Sequence, residues 1–124
     1  MKVLGVEPVN ADDAYQTWRA GNIRSLAAAP ATIADGVRTT AIGTRNFEVM
    51  FANQLVDEIV TVTEDEIAAG VRVAWTRLHI ALEPTGALTL AAYLAGKLPK
   101  GRAGLILSGG NANLETVAKL LGTR

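Results

Sequence analysis

The sequence holds no cysteine and a single histidine, His79. Disulfides, thiolate metal sites and histidine-rich metal centres are thereby excluded, and a reducing compartment is compatible with the composition. Net charge is also absent, because twelve Lys plus Arg stand against twelve Asp plus Glu. Neither sign forms a long run, so electrostatic binding to nucleic acid or to an anionic membrane surface has no support. No segment reaches the roughly 20 apolar residues that span a bilayer. The opening run from Met1 to Val6 is broken by Glu7 and Pro8, too short for the apolar core of a signal segment. The expectation is a soluble, cytoplasmic protein. Charged residues make up only 19% of the chain and hydrophobic ones 49%, which excludes a disordered segment and demands a core or a partner. At 124 residues the length suits one domain and is small for a complete cofactor enzyme.

What is present alternates between two periodicities. Lys2 to Val6 reads as a buried strand closed by Glu7-Pro8, since a proline drives the residue before it into extended backbone. Asn10 or Asp12 can cap a helix that carries Tyr15 and Trp18 on one face and stops at Gly21. Residues 22 to 36 read as an irregular connection, and residues 45 to 55 as a further helix. Glu58 to Val62 is rich in β-branched residues and predicts a strand. Thr63 with Glu66 forms a capping box, after which Ile67, Val71, Trp75 and Leu78 make one apolar stripe. Leu88, Ala91, Ala92 and Ala95 repeat the helical spacing before Gly96, and Leu114, Val117, Ala118 and Leu121 repeat it before Gly122. Gly104 to Leu107 is a short apolar run feeding Ser108-Gly109-Gly110-Asn111, the pattern of a parallel strand entering a glycine turn. Strands alternating with helices imply an α/β fold with an open, mostly parallel sheet and flanking helices.

Three places can carry chemistry. Ser108-Gly109-Gly110-Asn111 stands at the carboxyl end of a strand, where open α/β sheets place ligands, and glycine lets the backbone come close to one. The same residues also read as a plain turn, with Asn111 or Asn113 capping the last helix. Glu7, Asp12 and Asp13 fall within seven residues just after a strand. Carboxylates with an intervening backbone carbonyl suit Mg²⁺ or Ca²⁺, while Asp12 and Asp13 equally complement a helix N-terminus. Glu83-Pro84-Thr85-Gly86 again sets an acid at the end of an apolar run, either facing a ligand or lying in solvent beside a Thr85 cap. His79, on the helix of Trp75 and Leu78, reads as a structural or surface residue.

Five segments in fixed order resemble a known family. They are Gly5-Val6-Glu7-Pro8 with Ala11-Asp12-Asp13, Thr32 to Arg38 (TIADGVR), Asp57 to Glu66 (DEIVTVTEDE), Glu83 to Ala87 (EPTGA) and Leu107 to Asn111 (LSGGN). Together they are similar to the fold-type II pyridoxal-phosphate (PLP) serine/threonine dehydratases, the family of threonine ammonia-lyase and serine racemase. The resemblance covers essentially the whole chain and places residues 1–124 in the C-terminal portion of the large catalytic domain, with the tryptophan synthase beta-like fold.

That resemblance implies site residues. Ser108 would hydrogen-bond the pyridine nitrogen of PLP, with Gly109 beside it and Glu83 near the same ring edge. Asp35 would fall on the substrate side. Glu7, the Ala11 carbonyl and Asp13 would match a divalent cation site (Mg or Ca). The implied activity is α-proton removal followed by β-elimination on L-serine or L-threonine, or racemisation of serine. Nothing here matches the family's Ser-Phe-Lys segment, whose lysine holds the cofactor and moves the proton. Lys2, Lys97, Lys100 and Lys119 lie outside such a context. The glycine loop for the PLP phosphate and the small domain are likewise unmatched, and the sequence drifts from the family pattern around Gly43 to Phe47. No catalytic residue is therefore assigned, and the isolated chain is expected to be inactive. Its expected partners are an amino-acid substrate and either a complementary N-terminal half or a second copy. The alternative is a non-enzymatic interaction module that pairs with a related full-length enzyme.

Overall fold

The computed structural model describes residues 1–122, so the last two positions of the expected 1–124 unit lie outside the described residues. Its centre is a parallel pair of strands, β1 (Leu4–Pro8) and β2 (Glu58–Val62), in the register Leu4 to Glu58 through Pro8 to Val62. A parallel pair cannot be closed by a tight turn. The chain between them accordingly makes a long crossover that contains α1 (Asp13–Ala20), a 3₁₀ turn at Asp35–Val37 and α2 (Thr44–Phe47). After β2 come α3 (Glu64–Val73), α4 (Leu88–Leu94) and α5 (Leu114–Gly122). The α/β class and the parallel, helix-flanked sheet follow the expectation from sequence.

β1 runs two residues beyond the predicted Lys2 to Val6. Main-chain groups alternate sides along a strand, and the amide of Val9 donates to the Val62 carbonyl while Val3 accepts from Asp57. Odd-numbered residues thus face β2, so Pro8, which has no N–H to give, points its nitrogen away from the ladder and does not interrupt it. The predicted helix over 45 to 55 starts at Thr44 and changes gauge, with a wider π turn at Glu48–Ala52 before Gln54 takes a positive φ of 54°. α3 is continued in the same way by a π turn at Ala74–Leu78 and ends on His79 at φ 56°. A left-handed, exposed His79 fits its reading as a surface residue.

The capping box predicted for α3 is present in both directions. The Thr63 hydroxyl accepts from the Glu66 amide at 3.3 Å, and the Glu66 carboxylate accepts from the Thr63 amide at 2.7 Å. Lys97 adds an ion pair to Glu66 at 2.7 Å and donates to the Thr61 carbonyl at 2.9 Å, which ties the end of α4 to β2. The α3 stripe then joins two cores. Ile67 packs with Ala34, Val62, Leu88, Ala91 and Ala92, while Val71 and Ala74 pack with Leu82, Ala87 and Leu90. Each fully buried Ile or Leu contributes about 2 kcal/mol. Close approach of α3 to α4 needs Gly70, where a Cβ would meet the Ala87 carbonyl at 3.1 Å and the Ala91 amide nitrogen at 3.2 Å. The predicted stripe overreaches at Leu78, which is exposed, and Trp75 is secured instead by its indole N–H to the Leu82 carbonyl at 2.9 Å. In α5 only Val117 of the predicted face is buried, whereas Leu114 is 70% exposed.

The run Gly104 to Leu107 departs from its prediction as a strand. Its alternation is that of a strand, with Leu105 and Leu107 against the second core and Ile106 outward at 78% exposure. A strand is completed by a ladder, however, and among the described residues this run has no ladder partner. Its contacts are single bonds, such as the Thr89 hydroxyl donating to the Ile106 carbonyl at 2.9 Å.

Candidate functional site

Three loops meet at one edge of the molecule. The Glu83 amide donates to the Gly109 carbonyl at 3.0 Å, binding the Glu83–Thr85 turn to the Ser108-Gly109 turn. Gly109 adopts φ +101°, a conformation side chains rarely take, and the Glu83 carboxylate lies in the space that a Cβ at Gly109 would enter. Gly86 is packed so tightly under the neighbouring backbone that a Cβ there would run into the Ser108 carbonyl. Ser108 itself is exposed and Glu83 is half-buried. The structure thus brings Ser108, Gly109 and Glu83 together, as the sequence reading requires.

Asp35 arrives at the same edge by a different route. The Gly36 amide donates to the Thr85 hydroxyl at 3.0 Å, joining the Asp35 turn to the Glu83 turn. Thr85, a helix cap in one of the two alternatives the sequence leaves open, serves here as a cross-link. The Asp35 loop is held from behind by Glu64, whose carboxylate accepts from the Ile33 amide at 2.8 Å, and by Arg38, whose guanidinium donates twice to the Thr32 carbonyl at 2.9 and 2.6 Å. Both residues were missed at sequence level. Glu64 follows the Thr63 cap and looks like any first-turn acid, and only the fold reveals that it reaches a loop 31 residues away. Asp35 is exposed.

The acidic segment after β1 forms a second, separate feature. The prediction that Asn10 or Asp12 caps α1 is corrected. Asp12 occupies the cap position without a capping bond, and its carboxylate accepts instead from the Gln16 side chain at 2.8 Å. The cap is Glu7, which accepts from the Tyr15 amide at 2.8 Å and the Ala14 amide at 3.4 Å. Burial raises the Glu7 carboxyl from 4.5 to about 7, the two amides oppose this rise, and the charge of Asp13 adds to it. Asp13 is 1% exposed and its carboxyl is also raised, chiefly by burial. Neither Asp13 carboxylate oxygen has a hydrogen-bond partner among the described residues. An orphaned buried carboxylate is costly unless a proton or a cation satisfies it. Ala11 is fully buried beside it in sequence. Among the described residues no three His, Cys, Asp or Glu side chains gather as a metal centre. A cation here would draw on the Glu7 and Asp13 pair and a backbone carbonyl such as that of Ala11. At the far end, Asn113 caps α5, accepting from the Thr116 amide at 3.0 Å. No helix among the described residues is long and apolar enough to cross a membrane.

Residues 1–109 match the family model described as pyridoxal-phosphate dependent enzyme. The chain is 39% identical over 126 residues to a serine racemase of Dictyostelium discoideum, covering 98% of this chain and 38% of that protein. It is 37% identical to an L-threo-3-hydroxyaspartate ammonia-lyase of Pseudomonas sp, covering 96% of this chain and 37% of the relative. Among solved structures, that of maize serine racemase superposes with a TM-score of 0.82 at 34% identity, covering 95% of this chain and 37% of the other. The chain therefore spans less than two fifths of the length of these relatives. With the match running from the first residue through the glycine turn at 109, the chain belongs to the family of pyridoxal-phosphate dependent enzymes.

Proposed function

We propose that this chain forms the pyridine-ring side of the catalytic domain of a PLP-dependent ammonia-lyase or racemase acting on L-serine or L-threonine. The observation that carries the reading is the bond from the Glu83 amide to the Gly109 carbonyl, which joins the Glu83 turn to the turn that carries the exposed Ser108 and sets the Glu83 carboxylate against Gly109. The donor set fits the group, since a hydroxyl pairs with a ring nitrogen without adding charge and a glycine backbone lets a flat ring lie close. PLP, when bound, supplies the electron sink that makes the substrate α-C–H acidic. In this reading Ser108 holds the ring nitrogen as a neutral partner, which tempers that sink and suits loss of a good β leaving group. Glu83 orients the ring edge and keeps polar company for it. Asp35 lies on the substrate side, and the Thr85 and Glu64 bonds hold its loop there.

Glu7, the Ala11 carbonyl and Asp13 are proposed to hold a divalent cation away from the reacting atoms. The unpartnered Asp13 oxygens support this, as does the hard-oxygen chemistry of the set. The proton-moving lysine is proposed to come from polypeptide outside these residues. Lys97 already serves the Thr61 carbonyl and the Glu66 carboxylate.

The test is to mix the purified chain with PLP and the N-terminal portion of the Dictyostelium discoideum serine racemase, supply L-serine or L-threonine, and measure ammonia, 2-oxo acid and D-serine. Cofactor absorbance and product are expected in the mixture and not with either part alone, and Ser108→Ala is expected to weaken both. A folded mixture that neither binds PLP nor forms product overturns the reading in favour of a non-enzymatic module.

A further inference from the structure

The direction of the Glu83 carboxylate is set by the backbone that carries it. Pro84 confines the main-chain rotation that follows Glu83, because a proline crowds the residue before it. The freedom that remains is rotation of the Leu82–Glu83 peptide plane. In a trans peptide the carbonyl and the N–H point in opposite directions, so a bond at each end holds the plane from both sides. Both ends are bonded here. The Glu83 amide donates to the Gly109 carbonyl at 3.0 Å, and the Leu82 carbonyl accepts from the Trp75 indole N–H at 2.9 Å. Trp75 reaches that carbonyl because the chain doubles back after α3. The π turn at Ala74–Leu78 ends on left-handed His79, and the Ile80 amide returns to the Ala74 carbonyl at 2.9 Å, which brings Leu82 back alongside Trp75. The Leu82 side chain is 1% exposed in the second core, and Trp75 packs against that core.

We infer that Trp75 is a positioning residue for Glu83. Its indole N–H clamps the Leu82–Glu83 peptide against rotation, and the plane of that peptide fixes the direction in which the Glu83 side chain leaves its turn. Gly109 receives it. With φ +101° and no side chain, Gly109 leaves open the space that the carboxylate occupies, and Glu83 Cγ lies 3.0 Å from where a Cβ at Gly109 would stand. A half-buried tryptophan on the turn that ends α3 thereby sets the polar contact offered to the ring edge. The clamp stands on the geometry of the chain alone, while its effect on the cofactor rests on the ring-side reading proposed above.

The first measurement is NMR on the full chain without PLP. The Trp75 indole N–H and the Glu83 amide are expected to be protected from hydrogen exchange with the same urea dependence, because they open together. Glu83 side-chain protons should show an Overhauser contact with the Gly109 α-protons. Trp75→Phe keeps a ring in the core and removes the N–H. It should speed exchange of the Glu83 amide several-fold and abolish the Glu83–Gly109 contact, with the Ile67 amide unchanged. The second measurement is the PLP dissociation constant, by absorbance, in the mixture with the N-terminal portion of the Dictyostelium discoideum serine racemase. Trp75→Phe should weaken binding roughly two- to tenfold, the span of one lost hydrogen bond, and should add nothing in a Glu83→Ala background. A tryptophan that serves only the core would weaken binding equally in both backgrounds, and that result overturns the positioning role. A Trp75 indole N–H that exchanges freely in the parent chain while the Glu83 amide stays protected overturns the clamp, even where Trp75→Phe does not fold. A mixture that binds no PLP, with the paired protection present in the parent chain, counts against the cofactor reading and for the clamp.

Discussion

At the scale of single residues, the candidate site rests on glycines that differ in what they press against. A methyl at Gly109 would meet the Glu83 side chain, which can swing, whereas a methyl at Gly86 would meet the Ser108 backbone, which cannot. Gly86→Ala is therefore expected to cost about 1–3 kcal/mol in urea unfolding by overpacking. Gly109→Ala should displace Glu83 and weaken PLP binding, its stability loss coming mainly from the positive φ. Glu7 supplies a pH prediction with a definite sign. Its folded value of about 7 exceeds the ordinary 4.5, so the folded chain binds its proton more tightly than the unfolded chain does. Its contribution is fully present below about 4.5 and is lost as pH rises toward 7. Thermal melts should show that decline; Glu7→Gln should remove it, and Asp13→Asn should lessen it only in part, because burial is the larger cause of the Glu7 rise and the Asp13 charge a smaller one. Added Mg²⁺ should recover the loss at pH 7 and above in the parent chain and not in the Asp13→Asn variant, if the two carboxylates hold a cation as proposed. The orphaned Asp13 could not be told from an ordinary first-turn acid by sequence, since burial is a property of what packs over it.

Among the elements, α3 is the one most completely written in local sequence. Thr63 and Glu66 are three residues apart and satisfy each other's amides, so the start of the helix needs no distant information. Thr63→Ala is expected to cost about 1 kcal/mol in chemical denaturation. Burial acts to raise the Glu66 carboxyl, but the Lys97 ammonium and the Thr63 amide outweigh it and hold it below its usual value. The support it gives is therefore present above the ordinary carboxylate range and is lost as pH falls through the lowered value. Lys97→Met should remove much of that acid sensitivity in the same melts. α1 was legible in extent, from Tyr15 to the Gly21 stop with φ 69°, but not in its cap, which comes from Glu7 on the preceding strand. The π turns after α2 and α3 left no mark in the apolar spacing, because one extra residue per turn is settled by packing.

On the scale of the whole molecule, α3 couples the two cores, with Ile67 in one and Val71 and Ala74 in the other. Gly70→Ala should force α3 from α4 and weaken both cores together. The expected result is a single unfolding transition at lower urea, coincident by far-UV circular dichroism and tryptophan fluorescence, and separated transitions would show that the cores are independent. The sequence by itself determined the parallel α/β class, the cap at Thr63 and the glycine turn at 109, because these depend on residue type and near neighbours, and it narrowed the α5 cap to Asn111 or Asn113, of which the structure selects Asn113. Tertiary structure alone decided that Gly104 to Leu107 lacks a ladder, that Glu64 and Thr85 hold the Asp35 loop, and that Asp13 is buried without a partner. Each of those depends on which distant backbone lies within hydrogen-bonding reach, a relation that no local spacing of residue types encodes.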